Sequence, residues 1–256
     1  MQYEIKEENN FKFIEVGEGD VLLLLHGLFG ALSNFRETIN FFSPKYKVVI
    51  PILPLYDLEP NESTVTGLVE YVENFIEYKK YPSVSILGNS LGGHIGLIYT
   101  LRNKEKVKAL ILTGSSGLFE SALGDGYPKK GDYEYVKKKT EETFYDPKTA
   151  SKELVDEVYN LINDRSKALK ILLLAKSAVR NNLEEELKDI DIPVKLIWGM
   201  QDIITPVFVG EKFEVLLPNS ELTLLDRCGH AAMMERPHEF NQILSEFLER
   251  VTQPTE

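Results

Sequence analysis

The chain has 256 residues, of which 43% are hydrophobic, so it can bury one sizeable core, and its length alone allows one or two domains. Its 29 basic and 40 acidic residues give a formal net charge of −11, which disfavours nucleic acid and anionic membrane surfaces as partners. Cys228 is the single cysteine, which excludes an intrachain disulfide and a multi-cysteine metal site.

Apolar and alternating runs predict strands, and amphipathic patterns between them predict helices. The predicted strands cover about residues 2–7, 11–16, 21–26, 46–52, 84–88, 107–113, 193–198 and 220–225. The predicted helices cover about residues 33–42, 63–80, 91–103, 206–217 and 237–250. The later strands alternate with helices, which indicates an α/β fold with a mostly parallel sheet, while the first two strands suit an antiparallel edge pair.

One long segment interrupts the alternation. Residues 118–191 contain no convincing strand and carry helical patterns around 133–144, 152–163 and 167–183. The segment is either a separate helical unit or a set of helices that pack into a larger core. Residues 119–133, which are rich in glycine, proline and charge, suit a mobile entrance to such a unit.

The N-terminus, MQYEIKEENN, is charged and lacks the apolar stretch of a signal peptide. No apolar run approaches the length of a membrane span. We therefore expect a cytoplasmic location and no membrane partner.

The clearest chemical signal is a serine in a strand, turn and helix context. Ser90 lies in GNSLGG, directly after the apolar run VSIL and before a helical pattern, as in a nucleophile elbow. The alternative is a glycine-rich turn with no chemistry. A serine hydroxyl is a weak nucleophile at neutral pH, so the elbow needs a base.

His230 can be that base, because it lies in a glycine-flanked loop after the last predicted strand. Asp202 lies at the end of the preceding predicted strand, and its carboxylate can hold the imidazole of His230 in one tautomer. Taken alone, Asp202 would be a helix cap and His230 a structural histidine. The order Ser90, Asp202, His230 favours a catalytic triad, and Asp226 is the competing acid.

Attack on a carbonyl creates an oxyanion, which backbone N–H groups can stabilise. The residue after the nucleophile, Leu91, is expected to supply one donor. The loop HGLFG, which follows the strand VLLLL, is expected to supply the other through Leu28, with Phe29 as second choice. Gly27 and Gly30 would let this loop pass close to the substrate.

Together, HGLFG, GNSLGG, GMQD and CGHAAMMERP make the chain resemble the α/β-hydrolase fold superfamily over almost its whole length. The resemblance implies an α/β-hydrolase core at residues 1–117 and 192–256 and an inserted helical cap at residues 118–191. It also implies a small-molecule substrate and no cofactor, and the sequence holds no nucleotide or metal motif. Self-association into a homo-oligomer stays open.

Within the superfamily, GNSLGG and the long helical cap look like hydrolases that cleave carbon–carbon bonds in aromatic ring-fission products. Those enzymes carry a tryptophan after the histidine and an arginine in the cap, whereas Ala231 follows His230 here and the cap offers Arg165 and Arg180.

We therefore predict a carboxylesterase for small to medium esters, with the carbon–carbon hydrolase and a non-catalytic ligand-binding member as alternatives. Its pocket candidates are Phe29, Asn89, Ala231, Met233, Arg165 and Arg180.

Overall fold

The computed structural model describes residues 3–29, 33–119 and 131–252. Over these residues eight strands form one sheet in the order β1-β2-β4-β3-β5-β6-β7-β8. The strands are β1 Lys6–Glu8, β2 Phe11–Val16, β3 Val21–Leu25, β4 Lys47–Pro51, β5 Val84–Asn89, β6 Val107–Thr113, β7 Val194–Gly199 and β8 Ser220–Leu225. The prediction of an α/β fold with a mostly parallel eight-stranded sheet is confirmed.

The first two strands are the antiparallel part of the sheet. β1 pairs antiparallel with β2, and β2 pairs antiparallel with β4. From β4 through β3 to β8 each neighbouring pair is parallel. The carboxyl ends of β3 and of β5 to β8 therefore lie at one edge of the sheet, where active sites of such sheets form.

The helices cover both faces of this sheet. They are α1 Arg36–Phe42, α2 Val65–Lys79, α3 Leu91–Arg102, α4 Tyr133–Glu141, α5 Lys152–Asn163, α6 Arg165–Arg180, α7 Val207–Leu216, α8 Ala232–Glu235 and α9 Pro237–Thr252. In β3, Leu23 and Leu25 join a buried cluster with α2, α3 and α7, whereas Leu22 and Leu24 join a second cluster with α1, α8 and α9. Successive side chains of a strand point to opposite faces, so one apolar strand contributes side chains to both buried clusters.

The predicted helical insertion is present as α4, α5 and α6 between β6 and β7. Each of these helices begins at a side-chain cap, since Asp132, Ser151 and Asp164 accept hydrogen bonds from backbone N–H groups of the first turn. The two ends of the insertion lie together, because Leu183 N donates to Gly117 O at 2.8 Å. The predicted mobile entrance at residues 119–133 falls largely outside the described residues.

In the part of the chain that the structure covers, no helix is both long enough and apolar enough to cross a lipid bilayer.

Candidate active site

Three parallel strands bring the predicted triad to one edge of the sheet. Ser90 follows β5 directly, Asp202 lies three residues after β7, and His230 lies five residues after β8. β5, β6, β7 and β8 are consecutive in the sheet. Residues that are up to 140 positions apart in the chain therefore emerge from neighbouring strand ends (230 − 90 = 140).

Ser90 adopts a strained backbone conformation in the turn between β5 and α3. Its φ is 54° and its ψ is −121°, a region that residues with a side chain rarely occupy. The flanking glycines are required by space, since a Cβ on Gly92 would lie 2.0 Å from Leu25 O and one on Gly88 would lie 2.5 Å from Gly93 Cα. Ser90 is half-buried at the strand end.

Asp202 and His230 form a buried hydrogen-bonded pair. His230 Nδ1 lies 2.9 Å from Asp202 Oδ2, and the Asp202 side chain is fully buried. A carboxylate only accepts hydrogen bonds, so Nδ1 carries the proton and the lone pair of the neutral ring is on Nε2. The ring is thereby oriented as a general base requires.

Asp202 is itself held by the turn that follows it. Its Oδ1 accepts from the backbone N–H groups of Ile204 at 2.8 Å and Thr205 at 2.9 Å, and its Oδ2 accepts from Thr205 Oγ1 at 2.8 Å. Burial alone would raise the pKa of Asp202, but the His230 charge and these hydrogen bonds outweigh it and hold that pKa below the usual range. Asp202 is therefore an anion at neutral pH.

The competing acid is elsewhere. Asp226 is exposed, and its Oδ1 accepts from Gln201 Nε2 at 3.3 Å. The geometry thus pairs Asp202, and not Asp226, with the histidine.

The start of the HGLFG loop, at Gly27, passes directly beside Ser90. A Cβ on Gly27 would lie 3.2 Å from Ser90 Cβ, so only a glycine fits there without displacing a neighbour. Leu28 follows, and Leu91 is the first residue of α3, where backbone N–H groups lack partners within the helix. These positions suit the expected oxyanion donors. Gly30 lies outside the described residues.

Tyr56 fixes this loop from outside. Its hydroxyl donates to Leu28 O at 2.7 Å, and its own carbonyl oxygen accepts from Lys170 Nζ of α6 at 2.7 Å. Burial raises the pKa of the Tyr56 hydroxyl, and the nearby Glu157 charge adds to the shift, so the hydroxyl remains a donor at all ordinary pH values. No sequence motif links Tyr56 to residue 28, so its role at this loop is not predictable from the sequence.

The other histidines are structural by their contacts. His26 is buried, its Nδ1 lies 2.9 Å from Gly27 O, and its Nε2 accepts from Leu53 N at 3.1 Å. His94 is buried with Nε2 at 2.8 Å from Asn181 O. Burial lowers the pKa of each ring to about 4. His238, on α9, is exposed.

The predicted pocket residues divide into four groups. Phe29 is half-buried beside Leu28. Asn89 is buried, and its amide donates to Thr113 O at 3.0 Å and His230 O at 3.4 Å, so it ties two strand ends together. Ala231 and Met233 pack in the core cluster with α1 and α9.

Arg165 and Arg180 are exposed at the two ends of α6. Neither arginine is enclosed as a clamp for a substrate carboxylate would be.

Cys228 is buried, and burial raises the pKa of its thiol to about 12, which leaves it unreactive. Among the described residues no three histidine, cysteine, aspartate or glutamate side chains are grouped as a metal site would need.

Hydrogen bonds without a sequence signal join the loop that carries His230 to the helical insertion. His230 N donates to Thr143 O at 3.0 Å. Glu235 accepts hydrogen bonds from Gly229 N at 2.8 Å and from Tyr145 N at 2.7 Å. Tyr145 and Glu235 are 90 positions apart, and no local pattern signals their contact.

Comparison with known proteins agrees with this architecture. The family model described as alpha/beta hydrolase fold matches residues 20–139. A solved α/β-hydrolase enzyme from the metagenome of sediments of the Mar Chica lagoon, Morocco, is 42% identical with a TM-score of 0.80, covering 96% of this chain and 98% of that one.

Two further proteins differ in activity. The 2-hydroxy-6-oxo-6-(2'-aminophenyl)hexa-2,4-dienoic acid hydrolase of Metapseudomonas resinovorans is 27% identical over 93% of this chain and 87% of its own length. A thermophilic esterase from Thermogutta terrifontis has a TM-score of 0.79 over 99% of both chains, and at 15% identity it shows the fold alone.

Proposed function

Because the chain belongs to the α/β-hydrolase fold family, we propose that it is a serine hydrolase that cleaves a bond next to a carbonyl group through Ser90, His230 and Asp202. The observation that carries this proposal is the 2.9 Å contact from His230 Nδ1 to the buried Asp202 carboxylate, on the same sheet edge as the strained Ser90.

The residues act in a defined order. Ser90 Oγ attacks the carbonyl carbon while His230 Nε2 takes its proton, and Asp202 stabilises the resulting imidazolium. The carbonyl oxygen becomes an oxyanion that accepts hydrogen bonds from the amides of Leu28 and Leu91. Collapse expels the leaving group, which takes the proton from His230, and water then releases the acyl group from Ser90 by the same route.

The first candidate for the bond is a carbon–carbon bond in a ring-fission dienoate. The Metapseudomonas relative, which is similar over 93% of this chain, is named for such a substrate. This relative moves the carbon–carbon hydrolase ahead of the carboxylesterase that the sequence alone favoured. A carbon leaving group needs charge delocalisation, which a conjugated dienoate provides.

A carboxylesterase remains the second candidate for a specific reason. A dienoate acid needs a cation that holds its carboxylate, and planar bidentate binding by arginine is the strongest form. Arg165 and Arg180 are both exposed, and Ala231 stands where the carbon–carbon hydrolases carry tryptophan. An uncharged ester needs no such cation.

We also assign residues 118–191 as a cap on the hydrolase core formed by residues 1–117 and 192–256. The support is that α4 to α6 are inserted between β6 and β7, that Thr143 contacts the histidine loop, and that Lys170 contacts Tyr56 beside the oxyanion loop. Substrate would then reach Ser90 between this insertion and the sheet edge.

The test uses two substrates and a covalent probe. Purified protein receives p-nitrophenyl butyrate and a 2-hydroxy-6-oxo-hexadienoate separately, and kcat/KM is compared. Ser90→Ala should abolish turnover of both and labelling by a fluorophosphonate, whereas Ser245→Ala, at a serine on α9 that hydrogen-bonds Glu249, should change neither.

A higher kcat/KM for the dienoate selects the carbon–carbon hydrolase, and a higher value for the ester selects the esterase. Turnover that survives in Ser90→Ala refutes the nucleophile assignment. A wild-type protein that neither turns over these substrates nor accepts the probe would favour the non-catalytic, ligand-binding alternative.

A further inference from the structure

Glu235 binds two separate loops with one carboxylate. Its Oε1 accepts from Gly229 N at 2.8 Å, and its Oε2 accepts from Tyr145 N at 2.7 Å and from Asp146 N at 3.3 Å. Gly229 is the residue before His230, whereas Tyr145 and Asp146 follow α4 in the helical insertion. Both carboxylate oxygens are therefore used as acceptors, and they face opposite segments.

The two segments are in close contact at this point. His230 N donates to Thr143 O at 3.0 Å, so the backbone of the histidine is hydrogen-bonded to the insertion. A Cβ on Gly229 would lie 2.7 Å from Thr143 O and 2.9 Å from Tyr145 N, which leaves no room for a side chain. The histidine loop is thus packed directly against residues 143–146.

The position of Glu235 is costly for a carboxylate without partners. The side chain is half-buried, and burial raises the pKa of Glu235 above the usual glutamate value, against the lowering effect of its three N–H donors. Charge-assisted hydrogen bonds of this kind are the ones that offset desolvation. A half-buried carboxylate that accepts three backbone N–H groups from two segments connects those segments.

We propose that Glu235 is a positioning residue: it fixes the backbone before His230 to the helical insertion. The position of the insertion therefore determines the position of the general base. The inference rests on the proposed function, because it assigns His230 as that base. Asp202 orients the imidazole ring through Nδ1, and Glu235 places the main chain that carries the ring. The insertion then helps to position the general base in addition to covering the site.

The conservative substitution Glu235→Gln tests the connection with little change in shape. A glutamine has one acceptor oxygen, so its NH₂ group must face either Gly229 N or Tyr145 N, and two donors then oppose each other. Glu239→Gln is the matched control, because Glu239 is an exposed glutamate one turn further on that pairs with Arg236.

The measurements are kcat and KM with the better of the two substrates, melting temperature, and hydrogen exchange of individual amides in the full chain. A small misplacement of a catalytic group can cost about 10²-fold in rate, so we expect kcat of Glu235→Gln to fall by that order. KM should stay within about threefold, since substrate binding does not involve this contact. The amides of Gly229 and Tyr145 should exchange faster, and Glu239→Gln should match the wild type throughout.

Equal kcat in Glu235→Gln and Glu239→Gln overturns the proposal. If Glu235→Gln does not fold, wild-type exchange decides the matter: Gly229 and Tyr145 amides should open together, and independent opening overturns the proposal. Exchange does not depend on turnover. Failure of the serine hydrolase assignment would therefore appear as an inactive wild type with Gly229 and Tyr145 still coupled.

Discussion

Two buried histidines should make the protein sensitive to mild acid. His26 and His94 have pKa values lowered to about 4 by burial, whereas an unfolded histidine has a pKa near 6.5. Between these values the unfolded chain binds more protons than the folded one, so stability is lost as pH falls from about 6.5 towards 4. The sign is clear for His26, because a proton on Nε2 would oppose the Leu53 N–H that now donates to it.

The magnitude follows from the linkage relation. Each such histidine removes about 1.4 kcal/mol of unfolding free energy per pH unit within the window. Over the whole window this is roughly 3 kcal/mol for each ring, a large part of the 5–15 kcal/mol that is typical of a folded domain.

Urea unfolding at several pH values between 4.5 and 6.5 measures the slope directly. His26→Gln should lower the slope by about 1.4 kcal/mol per pH unit, whatever it does to stability at pH 7. His238→Gln, at an exposed histidine, is the control and should keep the wild-type slope. An unchanged slope in His26→Gln would show that His26 is not held neutral by the fold.

Two further substitutions test the site. Asp202→Asn should lower kcat by about 10⁴, as loss of the acid does in a triad protease, while Asp226→Asn leaves kcat near the wild-type value; the reverse result would mean that the acid is misassigned. Tyr56→Phe removes the hydroxyl that donates to Leu28 O, and the loss of one neutral hydrogen bond, about 1 kcal/mol, should lower kcat about fivefold at constant KM. A change in KM alone would place Tyr56 in substrate binding instead.

The sequence by itself determined most of the elements and their order, although α8 was not predicted. Apolar runs such as VLLLL and VSIL predicted β3 and β5 because a strand buried on both faces is apolar at most positions. The alternation of strands with helices predicted the parallel sheet, and the chain order of Ser90, Asp202 and His230 predicted that strand ends would bring them together. These are properties of one segment at a time, which local periodicity reports.

Only the tertiary structure decided which distant groups meet. Asp202 and Asp226 both follow strands, and the fold, not the pattern, brings Asp202 to His230 Nδ1 at 2.9 Å. Met233, a pocket candidate by sequence, packs in the buried cluster with α1 and α9.

The contact from Glu235 to Tyr145 spans 90 positions and depends on how the insertion seats on the sheet edge. Hydrophobic periodicity carries no information about such pairings, because they arise when already formed elements pack and bring their loops within hydrogen-bonding distance.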